Sequence, residues 1–279
     1  MKGRIFVAVI LVAAAAFAGR WVNRTVSPGA AAGRTREETR QTFRLDAGAR
    51  VEVGRINGQV EIRTAETDTA EVHIVRTAES AEAMECNRVT VEASPSSLEV
   101  RGERGCSGGG FWSWLSRAGR GARQEVTLTL PRRVELAASH VNGAVNVGEV
   151  EGPVEVSHVN GGVRFGVSRL GAEGMEVSHV NGRVEIRFRQ SADADVEVER
   201  QNGGLSVNVP NVTMQERLSR SHARLRFGAG GSPVQVSHVN GSVSFESDAA
   251  GAASLTTPAL MSGDELPPPP PMPPAPPNP

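Results

Sequence analysis

The chain has 279 residues and a net charge of −1 at neutral pH. It is long enough for one large β domain or two smaller ones, and it lacks the strongly basic balance that would draw it to nucleic acid or anionic lipid. Lys2 is the only Lys, Tyr is absent and 31 residues are Gly, a composition suited to short strands joined by tight turns.

Residues 1–18, MKGRIFVAVILVAAAAFA, read as a signal peptide. Lys2 and Arg4 precede an apolar run that ends in the small-x-small pattern Ala16-Phe17-Ala18. The run is short for a membrane span, although an uncleaved N-terminal anchor is the alternative. The expected location is extracytoplasmic: periplasm, cell surface or secreted. Residues 19–40 read as a flexible linker, and residues 41–247 as one β-repeat domain.

The first repeat, VEVGRINGQVEI, places Asn57-Gly58 between two alternating apolar flanks. Residues 63–130 lack such a corner but contain strand-like runs at Ala70–Arg76, Asn87–Ala93, Leu98–Glu103 and Glu125–Leu130. Ser94-Pro95-Ser96-Ser97 is a turn signal. Pairing Ala93 with Leu98 across it sets Cys86 opposite residue 105, beside Cys106. In an exported protein this predicts a Cys86–Cys106 disulfide, which would close a loop of about 20 residues and contribute roughly 3 kcal/mol. A Gly/Trp insertion at about 105–122 follows. Its Phe111, Trp112 and Trp114, between Gly-rich arms, form either a lid over the end of the domain or a binding loop.

From residue 139 the segment SHVNG occurs four times, at Ser139–Gly143, Ser157–Gly161, Ser178–Gly182 and Ser237–Gly241. Corners fall at Asn142-Gly143, Asn160-Gly161, Asn181-Gly182, Asn202-Gly203 and Asn240-Gly241, and the long interval before Asn240 suggests a degenerate repeat with His222 at the corner position. Four places before each Asn stand Val53, Ala138, Val156, Val177, Val198 and Val236. Three places after stand Val60, Val145, Val163, Val184, Leu205 and Val243. Spacing of two within each flank is a strand period. Asn and Gly tolerate the positive φ of a tight corner. The fold class is therefore all-β. A parallel β-solenoid with coils of about 20 residues is expected, in which like residues stack and Asn side chains form amide ladders. The alternative is an antiparallel meander in which each Asn-Gly closes a hairpin.

VEVSHVNGRVEIRF, SADADVEVERQNGGLSVNV and SPVQVSHVNGSVSFE, with the weaker match FRLDAGARVEVGRINGQVEI, resemble a family of bacterial extracytoplasmic β-repeat proteins of adhesin type (domain of unknown function 4097, DUF4097). That resemblance implies a solenoid-like fold, export and no known catalysis. It supplies no catalytic residues. This chain departs from the family by the His before Val-Asn-Gly and by the Gly/Trp insertion.

His140, His158 and His179 share one column, which makes them candidate ligands for Zn²⁺ or Cu²⁺. Arg55 and Arg200 occupy the same column, which argues for a half-exposed polar position instead. Ser and His adjacent on a strand point to opposite faces and make no catalytic dyad. Glu155, Glu176 and Glu197 form the polar outer row of a strand. No catalytic residue and no cofactor is expected. The reading is a non-enzymatic envelope protein with an envelope protein or glycan as partner, no nucleic acid, and membrane contact only through an uncleaved anchor. The alternative is a ligand-binding module using the Trp loop for glycan or the His row for metal. Residues 248–279 turn Ala/Ser-rich and then Pro-rich, and read as a disordered tail ending in a polyproline II arm.

Overall fold

The computed structural model describes residues 22–28, 35–105, 122–190, 193–219, 221–249 and 253–257. In chain order the elements are β1 Val22–Pro28, β2 Thr35–Arg44, β3 Ala49–Gly54, β4 Val60–Ala65, β5 Thr69–Ala78, α1 Ala81–Cys86, β6 Asn87–Ser94, β7 Ser97–Arg104 and β8 Arg123–Pro131. They continue as β9 Val134–Val141, β10 Val145–Val147, β11 Val154–Val159, β12 Val163–Val167, β13 Met175–Val180, β14 Val184–Phe188, β15 Ala194–Glu199 and β16 Leu205–Val209. The last are β17 Val212–Ser219, β18 His222–Phe227, β19 Ser232–Val239, β20 Val243–Ser247 and β21 Ala253–Thr257.

The alternating flanks of each Asn-Gly do not fold back on one another. The strand before the corner joins a front sheet and the strand after it joins a back sheet, so each repeat is one coil of a two-sided parallel solenoid. Stacking follows the columns read from the sequence. Val53, Ala138, Val156, Val177, Val236 and Val198 are successive partners across the front sheet. Val60, Val145, Val163, Val184, Val243 and Leu205 are successive partners across the back. The inward residues of both sheets meet in one core running the length of the stack, with Val51, Val60, Val156, Val177, Val184 and Val243 fully buried. Burying such a column against itself is what makes the coils alike. The meander of Asn-Gly hairpins does not form, because the two flanks of each corner lie in different sheets.

Spatial order departs from chain order. The coils stack as β7–β8, β3–β4, β9–β10, β11–β12, β13–β14, β19–β20 and β15–β16. Coil β19–β20 is interposed between two coils that precede it in sequence. The degenerate repeat expected around His222 is not a coil. Strand β18 runs antiparallel to β15, with Glu199 opposite His222 and Ala194 opposite Phe227, and β17 folds antiparallel onto β18. Residues 211–227 are therefore a hairpin that closes the front sheet.

Both ends of the stack finish in antiparallel strands. β6 pairs with β7 at the front, while β5, β2 and β1 follow β8 at the back, and β21 pairs with β16 at the far end. Covering the terminal coils this way replaces open parallel edges with antiparallel ones. The expected linker 19–40 thus contains β1 and much of β2, and the expected tail contributes β21. α1, unforeseen in the sequence, begins at Ser80, whose Oγ accepts from Ala83 N–H at 3.1 Å. It is tied down by buried Arg76, which donates to Met84 O (3.0 Å) and Asn87 O (2.7 Å) and pairs with buried Glu37. Among the described residues no helix is long and apolar enough to cross a membrane. The expected signal peptide, residues 1–18, lies outside the described residues.

Candidate functional site

The repeated SHVNG forms the edge where the chain passes from front to back sheet, and each letter has a separate task. In the coil 154–167, Val156 points inward, His158 outward and Val159 inward again. That break of the two-residue period happens because His158 is left-handed, with φ 54°. His140, His179 and His238 have φ 54°, 54° and 53°, and Arg55 and Arg200 have 57° and 49°. The positive φ expected of Asn thus falls two residues earlier, on the His/Arg column. His is among the non-glycine residues that enter this region most readily. A β-branched residue there is strained, so His158→Val is expected to cost about 1–2 kcal/mol, whereas His158→Asn should stay within a few tenths. Urea midpoints of the two variants check this.

Asn supplies a side-chain ladder. Asn142 Nδ2 donates to Asn57 Oδ1 (2.9 Å), Asn160 to Asn142 (2.9 Å), Asn181 to Asn160 (3.0 Å), Asn240 to Asn181 (3.1 Å) and Asn202 to Asn240 (3.3 Å). The backbone N–H groups of Asn142, Asn160, Asn181, Asn202 and Asn240 continue it, each donating at 2.8 Å to the residue two places before the neighbouring coil's Gly, as Asn160 to Val141 and Asn181 to Val159; that of Asn57 donates to Gln124 Oε1 (3.1 Å). Gly serves a close approach: a Cβ on Gly161 would lie 2.3 Å from Gly143 O, and one on Gly241 2.2 Å from Gly182 O.

Outside this edge the imidazoles stand as a stack. Ring centroids are 4.8 Å apart for His140–His158, 4.7 Å for His158–His179 and 4.5 Å for His179–His238, with planes within 5° of parallel. His238, although 59 residues beyond His179 in the chain, joins the row directly because β19–β20 packs on β13–β14. Arg200 Nη1 closes the row, 2.9 Å from His238 Nε2. Since the guanidinium can only donate, Nε2 accepts and the proton of a neutral His238 sits on Nδ1, beside Ser237 Oγ at 3.3 Å. An imidazole so held is not placed to take a proton from that serine. As ligands for one ion, His140, His158 and His179 are disposed poorly: the first and third rings are two rungs apart, while each nitrogen must come to about 2.1 Å from the metal.

Desolvation between its neighbours, then the charges of His238 and His158, hold His179 below the usual imidazole value. The sign follows from linkage: below about pH 6.5 the unfolded chain takes up that proton first. Stability is thus complete above this pH and falls as the pH drops through it. Urea midpoints from pH 7.5 to 5 should decline for the natural chain and decline less for a variant with Asn at His140, His158, His179 and His238.

The outer face of the front sheet carries the acidic row as neighbours in register, Glu155 beside Glu176, Glu176 beside Gln235 and Gln235 beside Glu197. Shallow depressions there are lined by Glu155, Glu173 and Glu176 and, further along, by Arg50, Arg101 and His140. Phe111, Trp112, Trp114 and Cys106 lie outside the described residues. The bounds of their segment are placed: Gly105 N–H donates to Cys86 O (2.9 Å), and Ala122 O accepts from Asn57 Nδ2 (2.9 Å). The chain thus re-enters the described structure at Ala122, beside Asn57 at the end of the Asn ladder. Cys86 carries no free thiol.

No family model matches the chain, and no curated protein matches it. Among solved structures it is similar to the "putative cell adhesion protein" of Clostridium sporogenes ATCC 15579, at 14% identity and a TM-score of 0.43, over 76% of this chain and all of that one. It is also similar to the "putative adhesin" of Parabacteroides merdae ATCC 43184, at 10% identity and a TM-score of 0.23, over 75% of this chain and 95% of that one.

Proposed function

We propose that the protein is an exported, non-enzymatic envelope module of adhesin type. The observation that supports this reading is the ridge: Asn amides and His or Arg side chains repeat at one rung spacing along six coils, in fixed register. A rigid row of identical groups suits a partner that is itself repetitive, such as an envelope glycan. The filled core of Val, Ile and Phe side chains beneath it keeps the row straight. The aromatic segment that precedes Ala122 in the chain would add Trp112 and Trp114 as stacking surfaces for sugar rings.

Co-sedimentation of the exported chain with purified cell-wall sacculi tests the reading. The natural chain is expected to pellet with them and to release no reducing ends. A Trp112→Ala/Trp114→Ala variant should pellet about tenfold less while keeping its unfolding midpoint. A midpoint that collapses in this variant would make the segment a lid. Failure of the natural chain to bind would remove the adhesive reading, and release of reducing ends would make the protein an enzyme.

A further inference from the structure

The closing hairpin brings together three ligand-type side chains that the ridge does not use. Glu197 and Glu199 are two residues apart on β15 and project from the same outer face. Antiparallel pairing sets His222 of β18 opposite Glu199 and Arg224 opposite Glu197. One donor atom from each of Glu197, Glu199 and His222 lies within 4.8 Å of the other two. His222 Nε2 stands 3.4 Å from Glu197 Oε1 and 3.9 Å from Glu199 Oε1. That nitrogen is shielded from solvent and faces both carboxylates without a well-aligned hydrogen bond to either.

We propose that Glu197, Glu199 and His222 are a Zn²⁺ site that staples the closing hairpin to the last coil. One imidazole and two carboxylates are donors zinc accepts, with water in the fourth position. At metal–ligand distances near 2.1 Å, tetrahedral donor atoms lie about 3.4 Å apart, so these three need close by roughly 1 Å, within reach of side-chain rotation. The three imidazoles of the ridge would have to close several times as far. Arg224 Nε donates to Glu197 Oε1 at 2.7 Å. It orients the carboxylate, the usual task of a group behind a metal ligand. With His222 neutral, two carboxylates and one guanidinium leave a single negative charge to attract a cation.

Zinc titration of the full chain by calorimetry, with X-ray absorption at the zinc edge, tests the site. The natural chain should bind one Zn²⁺ with a single imidazole in its shell, and its thermal midpoint should rise with zinc. His222→Ala and, independently of any folding defect in that variant, Glu199→Gln should bind at least about tenfold more weakly and lose the rise. A variant with Asn at His140, His158, His179 and His238 should bind as the natural chain does. Absence of zinc binding, undiminished binding by both site variants, or a shell of two or more imidazoles would overturn the assignment.

Discussion

Gly161→Ala is expected to destabilise the protein by about 3 kcal/mol or more, at the upper end of single substitutions. The added Cβ would sit 2.3 Å from Gly143 O and 2.5 Å from its carbonyl carbon. Both are backbone atoms, so no side chain can swing aside. Separating the two coils would stretch the Asn160 N–H to Val141 O bond and the Asn160–Asn142 amide bond together. A useful contrast is Gly48, whose φ is 83° but whose Cβ would meet nothing within 4 Å. Gly48→Ala carries only backbone strain, on the order of 1 kcal/mol. Urea denaturation of both variants should therefore separate crowding from strain, and equal losses would show that the corner glycine serves conformation alone.

Phe227→Ala is expected to cost about 3–5 kcal/mol, the range for emptying a buried aromatic site. Phe227 is fully buried. Its ring meets Phe188 edge-on at 5.8 Å and Phe245 at 5.6 Å, a geometry that adds to simple burial. The three rings come from β18, β14 and β20, so the closing hairpin is fastened to two different coils through one residue. Met214, on neighbouring β17, is 41% exposed, and Met214→Ala should change stability by no more than about 0.5 kcal/mol. Thermal unfolding of the pair checks the contrast. A loss near 1 kcal/mol for Phe227→Ala would mean that the hairpin is a loose flap.

Much of the architecture was legible because stacked coils write it as columns. Val156 and Val177 are partners four places before their Asn, and Ile186 and Phe245 five places after, as an alignment on Asn-Gly places them. The turn at Ser94–Ser97 and the Ala93–Leu98 pairing were equally local and equally readable. What escaped was order. The 38 residues from Asn202 to Asn240 looked like room for a hidden coil, because Leu225 and Phe227 fit the apolar columns. An apolar period of two cannot tell a parallel rung from an antiparallel closing strand, since both bury alternate residues. The corner stands at Asn-Gly as read, but its left-handed residue does not. Asn and Gly are the usual carriers of positive φ, and only coordinates reveal that His158 bears it while Gly161 answers to crowding. The cluster at Glu197, Glu199 and His222 depends on the β15–β18 register and left no mark in spacing.

The interposed coil has a consequence for how the chain can assemble. Every in-sheet neighbour of β15 and β16 lies further along the chain: β18 and β19 in front, β20 and β21 behind. A chain that appears N-terminus first can add β9–β10, β11–β12 and β13–β14 one upon another. Residues 194–209 have no such surface to settle on and must wait for residues 232–247 to slot in beneath them. Growth from one end, the ordinary habit of repeat proteins, therefore halts at β14, and the final third of the molecule must come together in one concerted step of long-range contacts.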